Sequence, residues 1–231
     1  MFACSKPIST KEDLIEVLER FGFLPLFANS IPGFSVEEHV DPAVWFTDQE
    51  GVWEWKGPVI RQSGCAYGKL LEKKAVFVSR AWYPDLANLR RDGYDFDARY
   101  EDGLASRRSL KIMELFSGNE ESEYGPSLPT FEVKRMAGFG KEGEKNFDGV
   151  LTDLEMKLYL VGCDFRQKKN RKGEDYGWFV QALNTPESIW GYGLVTSLYQ
   201  EDPKVSFQRI FDRVKEKFPD ASDAAIRKVC G

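Results

Sequence analysis

Trp53-Glu54-Trp55-Lys56 is followed by Tyr67, by Arg80-Ala81-Trp82-Tyr83 and by Arg90-Arg91-Asp92-Gly93-Tyr94-Asp95-Phe96-Asp97. Aromatic faces stack on planar rings, guanidinium forks donate hydrogen bonds and carboxylates accept them, so this combination suits a nucleobase held in a pocket. Trp53, Glu54, Trp55, Tyr67, Arg80, Trp82, Arg90, Arg91, Tyr94, Asp95 and Asp97 form the candidate pocket set. The competing reading is structural: aromatics in a core, with Arg and Asp paired for local order. The Asp95/Asp97 spacing is common in loops and says little about acid–base chemistry.

A second constellation is electrostatic. Arg166, Lys168, Lys169, Arg171 and Lys172 place five cations in seven residues at a predicted loop tip. Such a cluster can lie along phosphates and release their condensed counterions; the plainer alternative is a solvated turn. Arg107, Arg108 and Lys145 extend the candidate nucleic-acid-binding set.

Several chemistries are disfavoured. Cysteines 4, 65, 163 and 230 contain no Cys-x-x-Cys pair and read as free, mostly buried thiols. His39 is the only histidine, which leaves little for a zinc site or a His-based acid–base centre, and it reads as a surface or capping residue. There is no phosphate-binding Gly-x-x-x-x-Gly-Lys, no Gly-x-Ser-x-Gly elbow and no dinucleotide fingerprint; Gly138-Phe139-Gly140 lacks the third glycine. Neither metal nor cofactor is expected. With no apolar run near ~20 residues and no secretory h-region, the expectation is a cytoplasmic protein without a membrane partner.

The net charge of −5 argues against a nonspecific nucleic-acid coat, but the charge is uneven. Residues 1–55 sum to −7 and residues 56–118 to +4, so any basic surface belongs to the middle of the chain.

These residues need elements to position them. Ser9-Thr10-Lys11-Glu12 reads as a capping box, and Leu14, Ile15, Leu18 and Phe21 recur at helical spacing up to Gly22. Residues 29–42 read as irregular and 44–55 as an aromatic stretch. Tyr67 onward reads as a short helix passing into a strand at Ala75-Val78, and a helix after Pro84 stops at Asp92-Gly93. Residues 94–103 fit neither pattern, and a helix over Ala105–Phe116 follows. The polar, acidic segment 117–126 is the candidate boundary. Beyond it come helices around 131–136 and 147–158, then a hairpin whose strands alternate Val161, Cys163, Phe165 and Tyr176, Trp178, Val180. Amphipathic helices from Ser206 and Ser222 close the chain.

Helix, turn, helix and a basic-tipped hairpin is the order of a winged helix, in which the second helix reads the groove. Here that helix carries Asp148, Asp153 and Glu155 beside Lys145 and Lys157, which makes it a poor major-groove reader. The expected fold is α+β: a winged-helix-type scaffold with several helices and small antiparallel hairpins. Its regions are 9–118, helical and aromatic, with winged-helix derivation as an option; 126–195, winged-helix-like; and 196–231, C-terminal helices, with one compact unit as the alternative.

Trp53-Glu54-Trp55-Lys56, Tyr67-Gly68-Lys69-Leu70, Ser79-Arg80-Ala81-Trp82-Tyr83-Pro84 and Arg90 to Asp97 are similar to segments of the AlkZ-related proteins, a bacterial group allied to winged-helix DNA glycosylases of the AlkZ and YcaQ type. Tyr100 to Ala105, Gly143 to Phe147, Asp175-Tyr176-Gly177-Trp178 and Thr185-Pro186-Glu187 extend the resemblance over most of residues 14–215. It implies a winged-helix scaffold, ancestry among base-excising proteins and double-stranded DNA as the candidate partner. It also implies a catalytic Gln-x-Gln or Gln-x-Asp with an apolar centre. This chain has only Gln200-Glu201-Asp202, with a charged centre, so no catalytic residue is carried over. Three readings follow: a nucleic-acid-binding protein on a glycosylase scaffold; a glycosylase with substituted residues, using Glu54, Asp95 or Asp97; and a small-molecule- or protein-binding module.

Overall fold

The computed structural model describes residues 7–46, 50–119 and 122–231; Cys4 lies outside them. Helix α1 (Lys11–Phe21) begins one residue later than the sequence suggests. Asp13 N–H donates to the Thr10 hydroxyl and Thr10 N–H to the Asp13 carboxylate, so the capping box is Thr10/Asp13. Strand β1 (Phe23–Pro25) follows.

The aromatic stretch becomes helix α2 (Val52–Ser63). Val52, Trp55, Val59 and Ile60 fall on one buried face, Glu54 reaches back to accept from Gly51 N–H, and left-handed Gly64 ends the helix. The helix expected from Tyr67 is instead a hairpin, β2 (Ala66–Leu71) and β3 (Lys74–Val78). Glu72 and Lys73 both have positive φ at its turn, a geometry usually advertised by Asn-Gly, which is why the turn is hard to read.

Helix α3 (Tyr83–Arg91) stops at left-handed Asp92, as expected, and residues 94–103 contain a short helix, α4 (Phe96–Glu101). Then come α5 (Arg107–Met113), the hairpin β4 (Ser117–Asn119) and β5 (Ser122–Tyr124), β6 (Leu128–Pro129), α6 (Thr130–Met136) and α7 (Phe147–Met156). The long hairpin is β7 (Val161–Lys169) and β8 (Asp175–Asn184). Helices α8 (Pro186–Trp190), α9 (Tyr192–Val195), α10 (Pro203–Lys217) and α11 (Asp223–Cys230) complete the chain.

Antiparallel pairing joins the strands in the order β1-β3-β2-β7-β8-β6, with β4-β5 a separate ribbon, so the fold is α+β as expected. Two buried clusters lie along this sheet. One gathers α1, α2, α3, α10 and α11 around β1–β3; the other gathers α4–α7 around Leu160 and Leu183. The sheet crosses between them where Tyr67 of β2 pairs with Gly162 of β7. In the second, α5 is followed by the β4–β5 ribbon and then by β6, α6, α7, β7 and β8, and β6 pairs with β8.

Candidate functional site

The crossing between β2 and β7 opens a cleft of about 480 Å³, within the ~300–1,000 Å³ typical of small-ligand sites. Its depth is set by one carboxylate. Helix α7 buries Phe147, Val150, Leu151 and Leu154, and Glu155 falls on the same side, where it turns towards β2 and is only 2% exposed. Gln181 of β8 donates its side-chain amide to Glu155 Oε1 at 2.7 Å.

Two glycines make room for this pair. A Cβ at Gly68 would stand 2.8 Å from Glu155 Oε1, and one at Gly162 would stand 2.8 Å from Gln181 Nε2. Both lie in strands, where glycine weakens pairing and often marks a close approach. Burial pushes the Glu155 carboxyl up to about 7, against the opposing pull of the Gln181 hydrogen bond and of Lys69.

Phe131, Phe147, Phe165 and Val180 supply the apolar walls, Lys56, Lys69 and Lys134 supply the cations, and Asp148 adds a second carboxylate to the lining. Lys56 Nζ stands 4.7 Å from the Trp53 ring centroid and 4.5 Å from that of Phe165. Burial lowers its pKa to about 8, although Glu54 favours its charged form. Lys69 donates to Thr152 at 3.3 Å, and Lys134 lies 5.8 Å from the Phe147 ring.

The long hairpin projects beside this cleft. Arg166 donates to Ser127, Lys168 stands 5.3 Å from the Phe131 ring, and Lys169 is 3.8 Å from Asp175. The expected loop tip is shorter than its five cations, since Arg166, Lys168 and Lys169 are ladder residues of β7, and Arg171 and Lys172 are exposed in the turn. The return strand adds a feature that the alternation of Tyr176, Trp178 and Val180 did not suggest: Trp178 is 89% exposed, and Tyr176 and Phe179 are half-exposed beside it. Of the outlying cations, Arg107 is exposed, Arg108 donates to the Lys145 carbonyl, and Lys145 is tied to the carbonyls of Gly140 and Lys141.

Helix α7 itself is covered. Strand β2 meets it through Lys69 to Thr152 and through Lys73 N–H to the Met156 sulfur, and its open face carries Asp148 and Asp153, the latter bonded to Lys157.

The residues of the candidate pocket set do not share one concavity. Tyr67 lines the cleft and Trp53 borders it through Lys56, but Glu54 caps α2 and Trp55 is buried in the first core. Arg80 lines a hollow of about 540 Å³ beside Glu19 and Leu194, whereas Asp97 lines another of about 320 Å³ beside Tyr124 and Glu187. Trp82 packs on Phe23 and lies over Gly22. Arg90 donates to the Cys230 carbonyl, Tyr94 donates to Asp102, and Asp95 accepts from Tyr192.

Arg91 is fully buried, bonded to Glu187, Tyr199 and the Leu158 carbonyl. Burial alone would lower its pKa, but Glu187, Tyr83 and Tyr199 together more than reverse that, so Arg91 remains a structural cation. Cys65 and Cys230 are buried and Cys163 is half-buried, all as free thiols. Among the described residues no helix is long and apolar enough to cross a membrane, and no group of three or more His, Cys, Asp and Glu is placed to hold a metal ion.

Glu155 and Gln181 were not singled out by sequence reasoning as a site. The signals present were an acidic residue on the apolar side of a helix and two glycines inside strand patterns.

Fold and site together define an α+β protein in which a helix–helix–hairpin unit shares one sheet with a second core and encloses a carboxylate-bottomed cleft. The family model described as AlkZ related matches residues 8–231, nearly the whole chain, and the chain belongs to that family, as the sequence motifs suggested. No curated protein and no solved structure matches it significantly.

Proposed function

We propose that this protein binds nucleic acid on a scaffold related to AlkZ-type DNA glycosylases, using the β7–β8 hairpin as a wing. The observation that carries this reading is the exposed Trp178 on a hairpin that bears Lys168 and Lys169 at the end of β7 and Arg171 and Lys172 in the turn. An exposed ring stacks on bases, while neighbouring cations follow the phosphates. The order β6-α6-α7-β7-β8, with β6 on β8, supports a winged-helix reading of residues 126–195. Because α7 is covered and acidic, contact runs through the wing and the lysines beside the cleft rather than through a groove-reading helix.

The test is the salt dependence of binding to duplex and single-stranded oligonucleotides. Replacing Lys168, Lys169, Arg171 and Lys172 with glutamine should weaken binding to all sequences alike and shrink the log–log salt slope by about 0.9 for each duplex phosphate no longer neutralised. An unchanged slope in the folded variant, or no binding by the parent, overturns the reading.

A second reading, base excision with a substituted catalytic group, is favoured by one observation. Glu155 is a cleft carboxyl shifted towards neutrality, whereas Glu54 caps a helix and Asp95 is bonded to Tyr192. Abasic product that disappears in Glu155→Gln would support it; none above background would retire it.

A further inference from the structure

We propose that the cleft between α7 and the β2–β7 crossing is a binding site for a guanine-type nucleobase bearing a phosphate, with Glu155 and Gln181 reading the edge of the base. The inference rests on the nucleic-acid reading above and names the ligand chemistry of the cleft. Three features converge on it. The walls are aromatic and aliphatic, from Phe131, Phe147, Phe165, Leu151 and Val180, which suits a flat ring.

The bottom is polar and held in place. Gln181 gives one amide N–H to Glu155 and keeps a second, while the carboxylate has about four lone-pair sites and gives one to Gln181 and one to the Lys69 backbone N–H. Side by side they present a donor next to acceptors. Guanine offers the complement, one carbonyl oxygen beside a ring N–H and an amino group. Adenine offers an unprotonated ring nitrogen there, which the ionised carboxylate repels; burial raises the Glu155 carboxyl to about 7, so the preference belongs to the ionised form and is tested at pH 8. The glycine gaps at 68 and 162 leave room for the pair in this arrangement, since a Cβ at either position would displace it.

The third feature is the set of lysines, Lys56, Lys69 and Lys134, around the same cleft. An ammonium group meets phosphate as a point charge, and Lys69 is a close electrostatic neighbour of Glu155, whereas Lys56 and Lys134 lie against the Phe165 and Phe147 rings. The base can come from a free nucleotide or from a strand, because the recognised chemistry is the same.

Calorimetric titration of the full chain with GMP, guanosine and AMP, and with oligo-dT carrying either one central guanine or none, tests the assignment. GMP should saturate one site, at least tenfold tighter than AMP. Glu155→Gln should lose at least tenfold in GMP affinity, whereas Trp178→Ala should leave it unchanged. Lys69 and Lys134 are exposed, so glutamine at either should leave the fold intact; both variants should weaken GMP but spare guanosine. A guanine-dependent gain in oligonucleotide affinity, competed by GMP, makes the strand the source; equal oligonucleotide affinities with GMP binding make it the free nucleotide. Absence of saturable GMP binding, AMP binding as tight as GMP, or GMP binding untouched by Glu155→Gln in a variant that melts normally overturns the assignment. If GMP fails while salt-dependent DNA binding persists, only this inference falls; if DNA binding is also absent, the reading beneath it falls too.

Discussion

Gln181 holds Glu155 by a 2.7 Å hydrogen bond across the gap left by Gly68 and Gly162, on strands that meet only at the crossing between the two cores. The bond lowers the cost of burying a carboxylate without removing it, since burial still raises the Glu155 carboxyl from 4.5 to about 7. The folded protein therefore keeps a proton that the unfolded chain has released, so stability falls as pH rises from about 4.5 to about 7 and is flat with respect to this group above that. The full excursion is roughly 3 kcal/mol. Glu155→Gln should remove this dependence. Urea unfolding of both proteins at pH 4.5 and pH 8 should show the variant gaining on the parent as pH rises; parallel curves would refute it. Lys56, Lys69, Lys134, Tyr67 and Asp148, the other titratable groups lining the cleft, are common to both proteins.

Gly162→Ala should destabilise the protein although alanine ordinarily favours strands over glycine. The new methyl group would meet Gln181 Nε2 and Cγ at 2.8 and 2.9 Å, and yielding means breaking the bond to Glu155. A loss of about 1–3 kcal/mol in chemical denaturation is expected. A neutral or stabilising result would show that Gln181 relaxes without consequence.

How much of this was legible in the sequence depends on how local each cause is. Helix α3 was readable because its apolar spacing and its Asp92-Gly93 stop are both within a few residues. The long hairpin was readable from alternation around a basic turn. Helix α2 was hidden because its buried positions 52, 55, 59 and 60 sit among aromatics that also suit a strand. The β2–β3 turn was hidden because Glu72 and Lys73 adopt positive φ without the residues that announce it. The Glu155–Gln181 pair spans 26 positions and depends on glycines in two further strands, so no window along the chain contains it. The candidate pocket residues scattered for a related reason: Arg91 is drawn to Glu187 and Asp95 to Tyr192, partners about a hundred positions away.

Arg91 supplies a stability prediction of its own. Its guanidinium is fully buried and ties α3 to Glu187 of α8 and to the carbonyl of Leu158 just before β7. Arg91→Met should cost about 3–5 kcal/mol by stranding Glu187 and that carbonyl, and the double change Arg91→Met, Glu187→Leu should recover part of the loss. Strict additivity of the two single changes in a thermal or urea cycle would contradict the pairing.

The wing yields the most direct test of the nucleic-acid reading, because Trp178 is so exposed that its removal should not touch the fold. Trp178→Ala is expected to change unfolding free energy by less than ~0.5 kcal/mol. If the indole stacks on a base, the variant should lose about 1–3 kcal/mol of binding to single-stranded oligonucleotides, roughly five- to 150-fold. Its salt slope should stay that of the parent, because no cation has been removed. The glutamine-substituted wing should behave in the opposite way, losing slope while keeping the stacking quench of Trp178 fluorescence at low salt. Anisotropy titrations at several salt concentrations separate the two. A Trp178→Ala variant with parental affinity would show that the exposed indole does not touch the strand, and would leave the wing's role to its charges alone.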